Sequence, residues 1–180
     1  IDYRLEYTMQ SGKLKTTNLN TTDTDGVLNG ADQYDLEVGY TLDGDVKPRF
    51  GFELFSAGKN YQQLYPTGHK WLGHLDLFGR RNVGGMAVHV AVPFQDYTFK
   101  FDYHTFNRVD KDYSVYGVTG TTWSLPAGTD VAIGNEMDLQ IGYKVSAAMS
   151  MNLGYASFSP GAALTALSLN KSPSLMYLEM

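Results

Sequence analysis

The sequence predicts an all-β protein, an antiparallel transmembrane β-barrel of which about eight strands are present. Three observations indicate this class: apolar and polar residues alternate along eight segments, short and long connections alternate between them, and the apolar side carries no ionised residue. Successive side chains of a strand point to opposite faces of a sheet, so each segment has one apolar and one polar face. None of the segments has the i, i+3, i+4 spacing of an amphipathic helix.

The first four segments define their strands by strict alternation. Residues 1–9 (IDYRLEYTM) and 34–42 (YDLEVGYTL) each place five apolar side chains on one face. Residues 49–55 (RFGFELF) place three there, and residues 86–92 (MAVHVAV) place four. Each run has the length of an ordinary strand.

The last four segments continue the pattern through residues 98–106, 136–145, 149–158 and 174–180. The stretch TFKFDYHTF, at 98–106, opposes three aromatic to three polar residues: Phe99, Phe101 and Tyr103 against Lys100, Asp102 and His104. In the last segment, SLMYLEM, the alternation is weakest, and we expect Tyr177 and Glu179 on the polar face. In a membrane barrel the apolar face contacts lipid, whereas in a soluble barrel it fills the core.

The connections favour the membrane barrel. Tight turns are predicted at 43–45, 94–96 and 146–148, and long polar or Gly-rich loops at 17–30, 57–83, 108–135 and 159–172. Outer-membrane barrels have short turns at one end and long loops at the other, whereas lipocalin-like barrels have short hairpins nearly all round. The sequence therefore predicts a protein of the bacterial outer membrane, with the lipid bilayer as its partner.

The polar faces supply the candidate functional residues. They hold eight acids (Asp2, Glu6, Asp35, Glu37, Glu53, Asp102, Glu136 and Asp138) and four bases (Arg4, Arg49, Lys100 and Lys144). As residues that line a lumen we predict Arg4, Glu6, Glu37, Arg49, Glu53, Lys100, Asp102, His104, Glu136, Asp138 and Lys144. The four bases either form a cationic track for an anionic solute or pair with neighbouring carboxylates across the strands.

Composition excludes several other classes. The chain has 180 residues, a formal net charge of -5 and no Cys, so a disulfide framework and thiolate metal sites are excluded. No basic run reaches four residues, which argues against a nucleic-acid partner. His69 and His74 are five residues apart, which is not the i, i+4 spacing of a helical zinc motif, and no metal site or cofactor is predicted.

Residues 61–82, YQQLYPTGHKWLGHLDLFGRRN, resemble a signature of the alginate export family of Gram-negative outer-membrane barrels. The matching positions are Leu64, Tyr65, Pro66, Thr67, Gly68, His69, Lys70, Gly73, Asp76 and Asn82. The stretch DYRLEYTMQSG near the start, DYHTF, and the strand around Glu136 and Asp138 are also similar to the family's pattern. The similarity covers nearly the whole chain.

The resemblance implies a porin-like channel that passes a hydrophilic solute or exports a polysaccharide. It also implies that residues 1–180 form a single barrel domain, the C-terminal part of a longer barrel, since such barrels have well over eight strands. Loop 57–83 is expected to fold inward or over the mouth, held by aromatic anchors: Tyr61, Tyr65, Trp71 and Phe78. Within it, the family-motif residues of interest are Tyr65, Pro66, Gly68, His69, Lys70 and Asp76.

Two alternatives remain open at this level. One is a structural or partner-binding barrel without an open pore. The other is an outer-membrane hydrolase, for which Ser114, Ser124, His104 and Asp102 are the available residues. The chain lacks a nucleophile elbow and has no spacing that would assemble these four, so we do not predict an enzyme.

Overall fold

The structure is a computed structural model that describes residues 1–14, 26–27, 31–64, 71–126 and 128–180. Eight long strands form one sheet, and the connections hold four two-residue strands and a short helix. In chain order the elements are β1 (Asp2–Met9), β2 (Lys13–Leu14), β3 (Gly26–Val27), β4 (Asp32–Thr41), β5 (Arg49–Ala57), β6 (Val83–Phe94), β7 (Tyr97–Asn107), β8 (Val115–Tyr116), β9 (Thr122–Trp123), β10 (Ala132–Lys144), β11 (Ser150–Pro160), α1 (Ala162–Thr165) and β12 (Ser174–Glu179).

The sheet is antiparallel throughout, with the order β1-β4-β5-β6-β7-β10-β11-β12. Each long strand pairs with the next long strand in the chain, which confirms the predicted all-β antiparallel architecture and its eight strands. Among the described residues no pairing joins β1 to β12, so the sheet is open at both edges. No helix in the described part of the chain is long and apolar enough to cross a membrane.

Short and long connections alternate as predicted. The short ones span 42–48, 95–96 and 145–149, and the long ones span 10–31, 58–82, 108–131 and 161–173. The strands extend further into the long connections than expected, because antiparallel pairing between β10 and β11 continues to Gly134 and Pro160. Of the predicted loops, residues 17–25, 28–30, 65–70 and 127 lie outside the described residues.

The two faces of the sheet differ in polarity in the opposite sense to a soluble sheet, whose apolar face is buried. On the face that we call outer, Tyr3 is 81% exposed and Phe99 is 43% exposed. On the opposite, inner face, Glu136 is fully buried and Glu53 is 3% exposed. This sheet therefore has exposed apolar groups on one face and buried ionisable groups on the other. In soluble proteins the opposite is usual, and charged residues are almost never fully buried unless they are paired.

A hydrophobic cluster fills the long-loop end of the inner face. The strands contribute Phe55, Phe106, Phe158, Val83, Ala57 and Ile133, and the connections contribute Tyr61, Leu72, Phe78, Val115 and Leu164. The Phe78 ring centroid lies 5.2 Å from that of Phe106 and 5.3 Å from that of Phe158. Loop 58–82 therefore folds against the inner face, where Tyr61 and Phe78 pin it to the sheet.

The outer face changes from apolar to small or polar residues toward the long loops, along a line that we call the band edge. The last large apolar residue and the residue beyond it are Tyr34 and Asp32 on β4, Leu54 and Ser56 on β5, Met86 and Gly84 on β6, Tyr103 and Thr105 on β7, Met137 and Asn135 on β10, Tyr155 and Ser157 on β11, and Met176 and Ser174 on β12. The apolar region on the turn side of this edge is the outer apolar band.

The band edge does not follow the rows of paired residues. It stays level across Leu54–Met86, Tyr103–Met137 and Tyr155–Met176, which are register partners. It steps by two residues at the other three pairings, where the partners are Tyr34 and Ser56, Met86 and Thr105, and Met137 and Ser157. The edge is thus oblique to the rows.

Candidate functional site

The candidate site is a cleft of about 310 Å³ on the inner face, between the middle of the sheet and loop 58–82. Its charged lining comes from β1, β4, β5, β7 and β10: Arg4, Glu37, Arg49, Glu53, Lys100, Asp102 and Asp138. Three histidines also line it, namely His74, His89 and His104, together with Trp71 from the loop. The predicted inward-facing residues of five strands therefore meet in one place.

Register explains why acids crowd here. Glu37 lies directly opposite Glu53, and Asp102 lies directly opposite Asp138. Like charges that face each other across neighbouring strands are destabilising unless a counter-charge lies between them. The side chains that lie beside these acids differ between the two halves of the cleft.

In the half formed by β1, β4 and β5, arginines supply the counter-charge. Arg4 Nη2 lies 3.0 Å from Asp35 Oδ1, 3.3 Å from Glu37 Oε2 and 3.6 Å from Glu53 Oε2. One guanidinium thus contacts three carboxyl groups on two neighbouring strands, and its single positive charge offsets one negative charge among them. The Trp71 ring covers it at 4.1 Å from the centroid, a cation–π contact.

Arg49 completes this half toward the turn end. Its Nη2 atom lies 2.5 Å from Asp2 Oδ1 and 2.7 Å from Glu37 Oε1. Arg4 and Arg49 therefore share Glu37, and both are paired with carboxylates across the strands. Of the two possibilities left open by the sequence, pairing describes these two arginines.

In the half formed by β6, β7 and β10, histidines take the place of arginines. His89 Nδ1 lies 2.6 Å from Asp102 Oδ1, and His89 Nε2 lies 2.9 Å from Glu53 Oε2. His104 Nε2 lies 3.6 Å from Asp138 Oδ2, and the two imidazole rings are 5.7 Å apart. His89 joins the two halves, because it contacts an acid on β5 and an acid on β7.

Loop 58–82 reaches the carboxylates of β10 through its backbone. The N–H of Leu75 donates to Glu136 Oε1 at 2.8 Å. Gly73 has a φ of +83°, and a Cβ atom at this position would lie 2.4 Å from Glu136 Cδ. A side chain at position 73 would therefore collide with the carboxylate that receives the loop.

A second cleft lies at the turn end, where Lys144 is joined by Lys100, which also lines the first cleft. The two lysines line this open cleft of about 480 Å³ with Asp96, Thr98, Gln140 and Asn152. Within the described residues, neither lysine forms a salt bridge of the kind that occupies Arg4 and Arg49.

The remaining predicted residues are more dispersed. Glu6 accepts a hydrogen bond of 2.7 Å from Gln33 Nε2 near the long-loop end. Asp76, in the family-motif loop, has a φ of +49°, in the left-handed region. Tyr65, Pro66, Gly68, His69 and Lys70 lie outside the described residues.

Sequence reasoning missed several buried polar residues in the loops. Arg80 is 6% exposed, donates to Gln33 Oε1 at 2.8 Å and forms a salt bridge with Asp35. Arg108 is 4% exposed and donates to the carbonyl oxygens of four loop residues: Lys111, Tyr113, Thr129 and Asp130. Arg80 lay within the predicted loop 57–83 and Arg108 at the start of the predicted loop 108–135. Their partners are distant in sequence or are backbone atoms, for which no pattern exists.

Asn82 and Lys59 connect the two central long loops. Asn82 is fully buried and makes three hydrogen bonds with the backbone of Asp110 and Ser114. Lys59 Nζ lies 3.0 Å from Asp110 Oδ2. The hydrogen bond from the Asp112 N–H, and then that from Lys59, lowers the pKa of Asp110, and the bond to Asp110 raises the pKa of Lys59.

The residues considered for hydrolysis are not assembled. Ser114 donates to Ser124 at 3.4 Å beside the β8–β9 hairpin. Asp102 and His104 line the inner-face cleft, and neither serine is among the described residues that line it. No group of three or more His, Asp or Glu among the described residues has the geometry to hold a metal ion.

Comparison with known families gives one match. The sequence model of the family described as alginate export matches residues 1–177. No curated protein matches the chain. The match covers nearly all of the sequence, including the strands that build the cleft and the loop that covers it. The chain therefore belongs to the alginate export family.

Proposed function

We propose that this chain forms part of the wall of a porin-like channel in the bacterial outer membrane. The channel passes a hydrophilic solute or exports a polysaccharide. The observation that carries the proposal is the inverted sheet, in which exposed apolar side chains cover one face and charged side chains the other. A lipid-facing outside and a polar inside are the two requirements of a membrane barrel with an aqueous lumen.

The open sheet agrees with this role. An antiparallel meander with unpaired edges, short turns at one end and long loops at the other has the connectivity of a segment of barrel wall. The family's description as alginate export supports transport of a polysaccharide. Under this proposal the predicted lumen-lining residues, from Arg4 to Lys144, contact the passing solute or set the potential that it meets.

The charge of the inner face bears on the cargo. Arg4 and Arg49 are committed to carboxylates, whereas Lys100 and Lys144 line the cleft at the turn end. Acids outnumber bases along the middle of the sheet. A polyanion that enters at the turn end would therefore first meet the two lysines. It would depend on other parts of the wall to pass the acidic residues in the middle of the sheet.

The test is single-channel recording of the full-length protein in a planar bilayer, with the reversal potential measured under a salt gradient. Discrete conductance steps support the channel, and the sign of the reversal potential gives its ion preference. A protein that inserts as a folded barrel but never conducts would contradict it. Insertion is checked separately by protease protection in vesicles of phosphatidylcholine.

A barrel without an open pore is the second candidate, and the hydrophobic cluster favours it. Loops 58–82 and 108–131 pack on the inner face with buried Phe78 and Val115, and they occupy space that a lumen would use. Silent insertion in the bilayer experiment, together with normal folding, would establish this alternative.

A further inference from the structure

The band edge runs obliquely across the strands, and its slope can be measured from the strand register. Between β4 and β12 the edge crosses six pairings; at three it steps by two residues, and at three it stays level. Three steps of two residues give six residues over six pairings, or one residue per strand. This regular slope is not required by the sheet itself, whose rows of partners run straight across.

The slope converts into an angle. With about 3.3 Å per residue along a strand and about 4.8 Å between strands, one residue per strand corresponds to an edge inclined by about 35° to the rows. Strands of outer-membrane barrels tilt by about 35–45° from the membrane normal. In such a barrel a boundary that is level in the membrane must cross the rows of partners at that angle.

The chemistry on the two sides of the edge suits a bilayer. On the turn side, none of the outward positions of the seven strands from β4 to β12 carries an ionised side chain, from Tyr34–Tyr40 on β4 to Met176–Leu178 on β12. Just beyond the edge, six of the seven residues have hydrogen-bonding side chains: Asp32, Ser56, Thr105, Asn135, Ser157 and Ser174. Hydrocarbon excludes charge, and the headgroup region accepts hydroxyl, amide and carboxylate groups.

We propose that the band edge is the boundary between hydrocarbon and lipid headgroups on the long-loop side, and that the strands cross the bilayer at about 35°. This inference rests on the proposed membrane location, but it makes a separate claim about depth. Residues that share a row lie at different depths in the membrane, and residues from different rows lie at the same depth.

Val38 and Ser157 give the sharpest test, because one continuous row joins them. The row runs Val38, Phe52, Val88, Tyr103, Met137, Ser157. If rows lay parallel to the membrane plane, both residues would have the same depth. With an oblique edge, Val38 lies four residues inside the edge and Ser157 two residues beyond it, a depth difference of about 16 Å at ~3.3 Å per residue and a tilt of ~35°.

The chain has no Cys, so single cysteines can be introduced without background. We would label Val38→Cys, Ser157→Cys and Ser56→Cys in the full-length protein with a nitroxide and reconstitute it in phosphatidylcholine vesicles. Collision with oxygen and with a water-soluble nickel complex then reports depth. Ser56 is the matched control, because it also lies just beyond the edge but in a different row from Ser157.

We expect position 38 to favour oxygen, and positions 56 and 157 to share a high exposure to nickel. Equal, deep values at 38 and 157 would overturn the oblique edge while leaving the membrane location intact. High nickel exposure at all three would contradict the membrane location itself. A label at 38 shielded from both reagents would show that a protein surface covers the outer face, and would overturn the proposed lipid contact.

Discussion

Asn82 and Asp110 exchange two hydrogen bonds: the Asp110 N–H donates to Asn82 Oδ1 at 2.8 Å, and Asn82 Nδ2 donates to the Asp110 carbonyl oxygen at 3.0 Å. The same Nδ2 donates to the Ser114 carbonyl oxygen at 3.0 Å. The Asn82 side chain is fully buried and pairs with the Asp110 backbone as the backbone of a neighbouring strand would. It thereby joins loop 58–82 to loop 108–131. Both loops depend on it, because buried backbone groups need partners.

Replacing Asn82 by Ala should destabilise the protein by at least about 2 kcal/mol, since a buried polar group left unpaired costs ~1–3 kcal/mol. Asn82 also has a φ of +50°, which Asn tolerates better than Ala. Asn82→Gly removes the hydrogen bonds without the backbone strain, and Asn82→Asp retains the acceptor. The urea midpoint of the vesicle-bound protein should fall for all three, and most for Asp, whose buried carboxylate would face the carbonyl oxygens of Asp110 and Ser114. An unchanged midpoint in Gly would assign the effect to the backbone alone.

Arg108 should organise loop 108–131 through its donors rather than its charge. A lysine at this position keeps the charge but cannot donate in the planar fork that reaches four carbonyl oxygens. We expect Arg108→Lys to lower the hydrogen-exchange protection of residues 109–126 by about tenfold or more, the equivalent of ~1.4 kcal/mol. Protection within β4 and β5 serves as the internal reference. Equal protection in the Arg108→Lys variant and in the wild type would contradict the role of the fork.

Two positions on the outer face of β7 should respond differently to a charge. Phe101 lies within the outer apolar band, and an Arg there should cost about 2–4 kcal/mol of barrel stability, the value for the bilayer midplane. Thr105, on the same face but beyond the band edge, should tolerate Arg with a cost of only about 0–1 kcal/mol. Folding yield into vesicles at increasing urea measures both. Equal sensitivity at the two positions would mean that lipid does not contact this face differentially.

Ion preference should shift in opposite directions for two neighbours on the inner face. Lys100→Gln removes a positive charge from the open cleft, so the reversal potential should move toward cation preference. Asp102→Asn removes a negative charge two residues away and should move it toward anion preference. Thr98→Val is the neutral control on the same strand and the same face. An unchanged reversal potential in both charge variants would contradict a position for either side chain on the conducting path.

Acid should loosen the contact between the two loops. The pKa of Asp110 is lowered from its usual 3.8, so its stabilising effect is present above that pH and is lost as the pH falls through the lower, folded value. The pKa of Lys59 is raised from 10.5, so its contribution is lost only as the pH rises above that value. Exchange protection of residues 109–114 should therefore stay constant between these limits and drop below pH 3.8. Asp110→Asn should remove the acid-dependent drop.

The strands could be predicted because their period of two is a local property. TFKFDYHTF already places Phe101 and Asp102 on opposite faces, and in the structure Phe101 is paired with Val90 and Leu139 whereas Asp102 is paired with His89 and Asp138. The inner-face aromatics were not recognised, because Phe55, Phe106 and Phe158 continue the inward register at the strand ends, where the inner face was expected to be polar. Their burial depends on Phe78, which arrives from a loop that no periodicity describes.

The site was partly predictable for the same reason. The inward positions of Arg4, Glu37, Glu53 and Asp102 follow from alternation, but their pairing depends on which strands are neighbours and in what register. His89 lay on the polar face of its segment without a predicted role, and it proves to bridge Glu53 and Asp102. The difference between an arginine-paired half and a histidine-paired half exists only in three dimensions.

The facing acid pairs have a consequence for how the strands find their alignment. In a soluble sheet, burial of apolar side chains helps to select one register, but a slip of two residues along a lipid-facing strand leaves apolar groups in lipid and is nearly neutral. Such a slip between β4 and β5 would move Glu53 out of line with Glu37 and away from the single guanidinium of Arg4 that serves both. The ionic contacts of Arg4 with Glu37 and Glu53 therefore favour one register between β4 and β5 during assembly. The apolar outer face does not select that register.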